Sequence, residues 1–426
     1  MDTMITPSEL PTAPVRRSSR LGSLRHLSRI DIVIATSAVG VAATTAFDGP
    51  QPWPLVRGLV VVLTAVAMIR TRATLRGRCA GLALAAYGFA AAVVAIGVGG
   101  LRLAEVGPAD VAGVGVLLGA SAGLVLLVLG ARMLLASTRW WHKVLVILPG
   151  LVVAGMLGTS LSMGLMMTNA APMPLGDVTP SDVGLEYEDV ELRTADGVRL
   201  EAWYVPSANG AAVVLLGGAG SARDGEVERA AALASEGFGV LILDVRGHGG
   251  SGGEANLMGW YGELDVKPGI DYLLARGDVS DGRVGVVGMS MGGQQAVAAA
   301  GDDPRIRAVV ADGVVGRHSS EIDAPNAIDG LMGWMMMQAA ELTTGAPHPT
   351  PLVDAVRAAS PHQVLVIAAG KGAMGMEADF ANQLVEASPE TVEVWSVDDV
   401  SHTQAFSKHR GEWTARVTEF LDAALA

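Results

Sequence analysis

At 426 residues, half of them hydrophobic and with a mean hydropathy of +0.40, the chain is too long and too apolar for one ordinary soluble domain. Its net charge of −13 is unevenly divided: residues 1–170 hold 14 basic and 6 acidic residues, a formal +8, whereas residues 171–426 hold 16 and 37, a formal −21. An arginine-rich half joined to an acidic half points to a membrane region followed by a water-exposed domain. The acidic half argues against nucleic-acid binding, and a single cysteine, Cys79, excludes an intramolecular disulfide.

Residues 1–29 are rich in Pro, Ser and Arg without an apolar face, and read as a basic cytoplasmic tail carrying Arg16, Arg17, Arg20, Arg25 and Arg29. Apolar stretches follow at 30–47, 54–69, 79–101, 110–135 and 144–168, each near or just below the length that spans a bilayer as a helix. A cleaved signal peptide competes for the first stretch, but the further spans favour a multi-pass anchor. Arg70, Arg72, Arg76 and Arg78 fall between the second and third spans, and Arg132, Arg139 and Lys143 between the fourth and fifth. The alternate loops hold Asp48, then Arg102, Glu105 and Asp110, with Arg57 near their boundary. The positive-inside rule then predicts a cytoplasmic N-terminus and, across an odd number of spans, an extracytoplasmic location for everything after residue 170. Trp53, Trp140 and Trp141 lie at span ends, where interfacial aromatics sit. No acidic or histidine pair lies deep in a span to mark an ion path, so the Gly and Ala content reads as close helix packing.

Residues 170–187, with Pro172 and Pro174, read as a linker that cannot continue a helix. Glu188–Arg193 and Val198–Val205 alternate around Asp196-Gly197, a hairpin signal. Beyond them, short apolar runs at Val213–Leu216, Val240–Leu243, Arg283–Val287, Ile306–Ala311, Val364–Ala368 and Val392–Val397 are mostly separated by helix-length segments. This order predicts an α/β fold, a doubly wound and mainly parallel sheet preceded by an all-α transmembrane bundle. Ligands of such sheets bind beyond the carboxyl ends of the strands.

One run carries chemistry. Arg283–Val287 leads into Gly288-Met289-Ser290-Met291-Gly292 and then a helix-prone segment, the strand, sharp turn and helix of a nucleophile elbow. The pentapeptide also arises by chance in a glycine-rich chain, but here it has the context that its chemistry requires. With it stand Leu215-Leu216-Gly217-Gly218-Ala219-Gly220-Ser221, Leu243-Asp244-Val245-Arg246-Gly247-His248-Gly249 and Asp399-Val400-Ser401-His402-Thr403. In their order and spacing these pieces resemble a bacterial α/β-hydrolase domain of the esterase or dienelactone-hydrolase type over residues 188–426.

The resemblance implies Ser290 as nucleophile and His402, directly after the last strand, as general base; His318, His348 and His362 do not follow that strand. The acid should follow Val364–Ala368. Glu377 and Asp379 are the first carboxylates there, later than the family's usual position, and both remain open, with Glu377 preferred. The backbone N–H groups of Met291 and Ala219 are implied as the oxyanion hole. His248 reads as shaping the site, and Asp244 and Asp312 as loop caps.

Residues 313–360 form an insertion where the family places a cap. Its Leu331–Met337 run fits either an adaptable acyl-binding surface or buried packing. No metal-ligand cluster, phosphate-binding loop or dinucleotide motif appears, so cofactor-free hydrolysis is expected. The resulting expectation is a membrane-anchored serine hydrolase, in contact with membrane lipids, that acts on a small-molecule or lipid-like ester, thioester or amide. The alternative from another class is a non-catalytic, hydrolase-like extracytoplasmic binding or scaffold module. Oligomeric state is not encoded legibly.

Overall fold

The computed structural model describes residues 28–45, 53–170, 172–322, 326–344, 346–372 and 376–426. The basic tail up to residue 27, Asp48 and the side chains of Trp53, Arg57, Arg102 and Glu105 fall outside that description.

The apolar stretches each form a helix: α1 (Arg29–Thr45), α2 (Trp53–Thr74), α3 (Gly77–Val106), α4 (Val111–Leu134) and α5 (Trp140–Thr168). Three are long and apolar enough to cross a membrane: α3 over Gly77–Gly100, and α4 and α5 over their full lengths. At 17 residues, α1 is shorter than the roughly 20 that a crossing needs, and α2 ends in a turn carrying Arg70 and Arg72. Arg72 donates to Asp31 in the first turn of α1 at 2.6 Å, and Arg78 at the start of α3 donates to Ser137 beyond the end of α4 at 2.9 Å. The arginine-bearing ends therefore gather at one end of the bundle, and the chain leaves α5 at the other. Glycines set the helix spacing: a Cβ on Gly40 would fall 2.2 Å from the Gly119 nitrogen, and one on Gly88 2.4 Å from the Gly123 oxygen.

The segment after α5 is laid against the following domain. Met173 N–H donates to the Gly247 carbonyl at 2.9 Å, Gly249 N–H donates to the Met173 carbonyl at 2.7 Å, and Ala170 bridges to Ala255. Beyond it lies one eight-stranded sheet of order β1-β2-β4-β3-β5-β6-β7-β8. The strands are β1 (Glu188–Arg193), β2 (Arg199–Val205), β3 (Ala212–Leu216), β4 (Gly239–Leu243), β5 (Val284–Met289), β6 (Ala308–Asp312), β7 (Gln363–Ala369) and β8 (Val392–Val397). The hairpin β1–β2 is antiparallel and also meets β4 antiparallel; every pair from β4 to β8 is parallel.

The uninterrupted apolar runs are explained by burial on both faces, since β3, β4, β5 and β6 have no exposed residue. Ala212, Val214 and Leu216 face a core shared with α7 (Gly262–Leu274), α8 (Met291–Asp302), α10 (Leu352–Ala359) and α11 (Met376–Ala387). Val213 and Leu215 face the other core, closed by α6 (Val227–Ser235) and α12 (Arg410–Ala424) with Leu233, Trp413 and Leu421. Each side chain buried in this way contributes roughly 1.5–3 kcal/mol.

The insertion between β6 and β7 holds α9 (Ala327–Thr343) and α10. Met335 and Met337 are buried, and Met336 and Met337 pack with Met258 and Trp260, so these methionines bury the insertion against the domain while Leu331 and Trp334 stay exposed.

Candidate active site

Strand order reverses beside β3: the chain goes from β3 to β4 on one side, then returns to β5 on the other. The loops after β3 and β5 thus diverge at one crevice, where open α/β sheets bind ligands. The Ser290 turn lies in it.

Ser290 has φ 53° and ψ −114°, a conformation that a side-chain-bearing residue adopts only under constraint. The constraint is close packing. A Cβ on Gly288 would lie 2.1 Å from the Gly292 carbonyl oxygen, and one on Gly292 2.6 Å from the Gly217 oxygen. The Ser290 N–H donates to the Asp312 carbonyl at 2.7 Å, tying the turn to the end of β6.

His402 Nε2 lies 2.8 Å from Ser290 Oγ, and its Nδ1 lies 2.6 Å from Glu377 Oε1. Glu377 is fully buried, and its second oxygen accepts from the Ala369 N–H at 3.0 Å. As the second residue of α11, it points back toward the end of β7, as helical side chains do. Asp379, the other candidate acid, is exposed on the same helix. The hydrogen bond that His402 donates to Glu377 raises its pKa above the ordinary imidazole value; burial opposes the rise, and the charges of Glu377 and Asp312 add to it.

Met291 is the first residue of α8, so its N–H has no acceptor within the helix and remains available beside Ser290. The Gly217–Gly220 loop approaches from the other side, a Cβ on Gly218 falling 3.4 Å from Ser290 Cβ. His248 is buried behind this loop, its Nε2 3.2 Å from the Ala219 carbonyl and its Nδ1 3.1 Å from that of Arg246. It is thus a brace under Ala219, consistent with a shaping role. A hydroxyl, imidazole and buried carboxylate in series, with backbone donors alongside, can deprotonate the hydroxyl and stabilise an oxyanion.

Asp244 accepts from the N–H groups of Arg223 at 2.6 Å and Gly250 at 3.0 Å and pairs with the Arg223 guanidinium, which makes it the loop cap expected. Asp312 departs from that expectation. Buried at the end of β6 among Arg229, Glu377 and His402, its carboxyl is pushed up to about 6 by desolvation. Arg317, not singled out from sequence, is fully buried; it donates to the carbonyls of Gly259 at 3.0 Å and Thr350 at 3.1 Å and pairs with Glu263 at 2.5 Å. A lone arginine in a loop carries no sequence signal for this. His318, Glu341 and His348 bring ligand atoms within 4.8 Å of one another, a grouping hidden in sequence because it joins three segments of the insertion. In this grouping His318 Nδ1 lies 2.7 Å from the Ser320 hydroxyl, Gln338 donates to Glu341 at 3.0 Å, and His348 Nε2 lies 3.9 Å from the other Glu341 oxygen.

Fold and site define a serine hydrolase of the α/β-hydrolase class. The chain belongs to the X-Pro dipeptidyl-peptidase (S15) family, whose match covers residues 181–413, more than half of it. An uncharacterized protein of Mycobacterium tuberculosis is 33% identical over 139 residues, 32% of this chain and 47% of that protein, so the chain spans about half the length of this relative. The α/β-hydrolase domain-containing protein WAV2 of Arabidopsis thaliana is 30% identical over 120 residues, 27% of this chain and 38% of the relative. Among solved structures, the esterase Pf2001 of Pyrococcus furiosus aligns with a TM-score of 0.50 at 25% identity, covering 60% of this chain and 98% of its own.

Proposed function

We propose that the chain is a membrane-anchored hydrolase that cleaves a carboxylic ester or thioester through an acyl-enzyme on Ser290. The observation that carries this reading is the Ser290–His402–Glu377 hydrogen-bond series at the carboxyl ends of parallel strands. Ser290 Oγ attacks the acyl carbon while His402 takes its proton, Glu377 holds the imidazole's tautomer, and the N–H groups of Met291 and Ala219 receive the oxyanion. The bond to the leaving alcohol or thiol breaks as His402 returns the proton. Water then releases the acid by the same steps.

The family description favours an amide, with cleavage after an X-Pro pair, as a second reading. The two differ in leaving group and pocket. A fluorophosphonate probe should label the wild-type full chain and not Ser290→Ala, and equal labelling of both would overturn the nucleophile assignment. Parallel assays on 4-nitrophenyl esters and on X-Pro 4-nitroanilides would decide between ester and amide.

The anchor comprises residues 30–169, with residues 188–426 as the hydrolase domain and 313–360 as its cap. Whether three or all five helices cross, the number is odd and the arginine-rich end lies opposite the exit of α5. Both counts put the basic end in the cytoplasm and the hydrolase outside.

A further inference from the structure

The insertion is seated on the membrane bundle. A Cβ on Gly164 of α5 would lie 2.3 Å from the Met336 carbonyl oxygen and 2.9 Å from Ala339 Cβ, so its absence lets α9 close onto α5. At the same level α5 packs on α3: Ser162 Oγ donates to the Val93 carbonyl at 3.3 Å, and a Cβ on Gly97 would meet Leu165 Cβ at 2.6 Å. Val93 and Gly97 lie inside the apolar stretch Gly77–Gly100. At a rise of about 1.5 Å per residue, α9 therefore meets the bundle some ~5 Å short of the end of that stretch.

The opposite flank of α9 reaches the catalytic domain. Met337 and Ala340 pack with Met258 and Trp260, and a Cβ on Gly259 between these two would lie 3.3 Å from Met291 Cγ. One loop thus separates α9 from the residue after Ser290. The remaining flank carries Ile328, Leu331, Trp334 and Leu342, 58%, 50%, 51% and 84% exposed among the described residues, with the half-buried Gln338 between them. On α5, Met163 beside the Gly164 junction is exposed, as are Val152 and Val153 further down the helix. Gly164, where α9 packs, lies inside the apolar stretch Trp140–Thr168, so lipid around α5 at that level would also meet the exposed side chains of α9.

We infer that α9 lies in the outer leaflet with this flank against lipid acyl chains. It delivers the acyl chain of a bilayer-dissolved ester laterally toward Ser290, across the Met258–Trp260 loop. The inference rests on the membrane-anchored hydrolase reading and adds its substrate class, a long-chain acyl ester presented from the membrane.

Depth quenching tests it in the full chain. In a Cys79→Ser background, single cysteines from Leu331→Cys, Val152→Cys and Glu390→Cys are labelled with an environment-sensitive fluorophore. The chain is reconstituted into phosphatidylcholine–phosphatidylglycerol vesicles containing acyl-chain nitroxide lipid. Quenching at 331 and 152 but not at 390 is expected. Quenching at 152 alone overturns the placement of α9 and leaves the anchor intact. No quenching at 152 overturns the anchor and this inference together. The second readout is the ratio of turnover on bilayer-dissolved 4-nitrophenyl palmitate to that on soluble 4-nitrophenyl acetate. Leu331→Glu with Trp334→Glu should lower this ratio about tenfold, because charge is costly at acyl-chain depth. An unchanged ratio overturns the delivery role.

Discussion

The carboxylate of Glu377 accepts the backbone N–H of Ala369, eight residues earlier, at 3.0 Å. This bond spans from α11 back to the end of β7 and fixes the carboxylate where the imidazole of His402 reaches it. Glu377→Gln should therefore lower kcat by roughly 10³–10⁴-fold with little change in KM, through loss of the correct imidazole tautomer. Asp379→Asn, on the exposed side of α11, should stay near wild type. Steady-state kinetics on a 4-nitrophenyl ester checks both, and the reverse ranking would reassign the acid.

The pH profile follows from His402. Its neutral form is the base, and its pKa is raised, so kcat/KM should fall with decreasing pH through a value above the ordinary imidazole 6.5. Asp312 contributes to that rise. Asp312→Asn should move the acidic limb to lower pH with kcat on the plateau largely retained, and a limb that does not move would show that the Asp312 charge is not felt at His402.

Gly292 has no room for a side chain. An added Cβ would meet the carbonyl oxygens of Gly217 at 2.6 Å and Leu216 at 2.7 Å. Gly292→Ala should destabilise the full chain by about 1–3 kcal/mol and depress activity further, because the Gly217 loop must shift. Gly277→Ala, with nothing within 4 Å of its new carbon, is the matched control and should stay within about 0.5 kcal/mol in the same thermal melts.

Arg246 pairs with buried Asp265 at 2.6 Å and with Asp196 at 2.8 Å, and stacks 3.8 Å from the Tyr261 ring centroid. Arg246→Met would leave Asp265 charged and unpaired in the core, a loss of about 3–5 kcal/mol. Arg246→Met combined with Asp265→Leu should recover part of it. Failure of the double variant to recover any stability would place the role of Arg246 elsewhere.

Orientation is open to protease. Added to spheroplasts, it should reach residues 171–426 without lysis. Protection until lysis would mean an even number of crossings or a cytoplasmic hydrolase.

Much of this architecture is written in local pattern. Continuous apolar runs separated by helix-length segments specify a sheet buried on both faces, because a strand covered twice has no polar side to alternate with. Gly288 and Gly292 flanking Ser290 mark the turn directly, since the steric need for two missing side chains is a local one. The identity of the acid is not local. The sequence leaves Glu377 and Asp379 both open, with a preference for Glu377, and the packing of α11 against β7 buries Glu377 and leaves Asp379 in water. Asp312 likewise reads as a strand-end cap, and its carboxyl comes to act on the His402 ring because β6 lies beside β5 and β7 in the sheet. The junction of Gly164 with Met336 lay beyond sequence reading for the same reason. It depends on how α5 and α9, more than 150 residues apart, meet in space, and no periodicity in either helix records its partner.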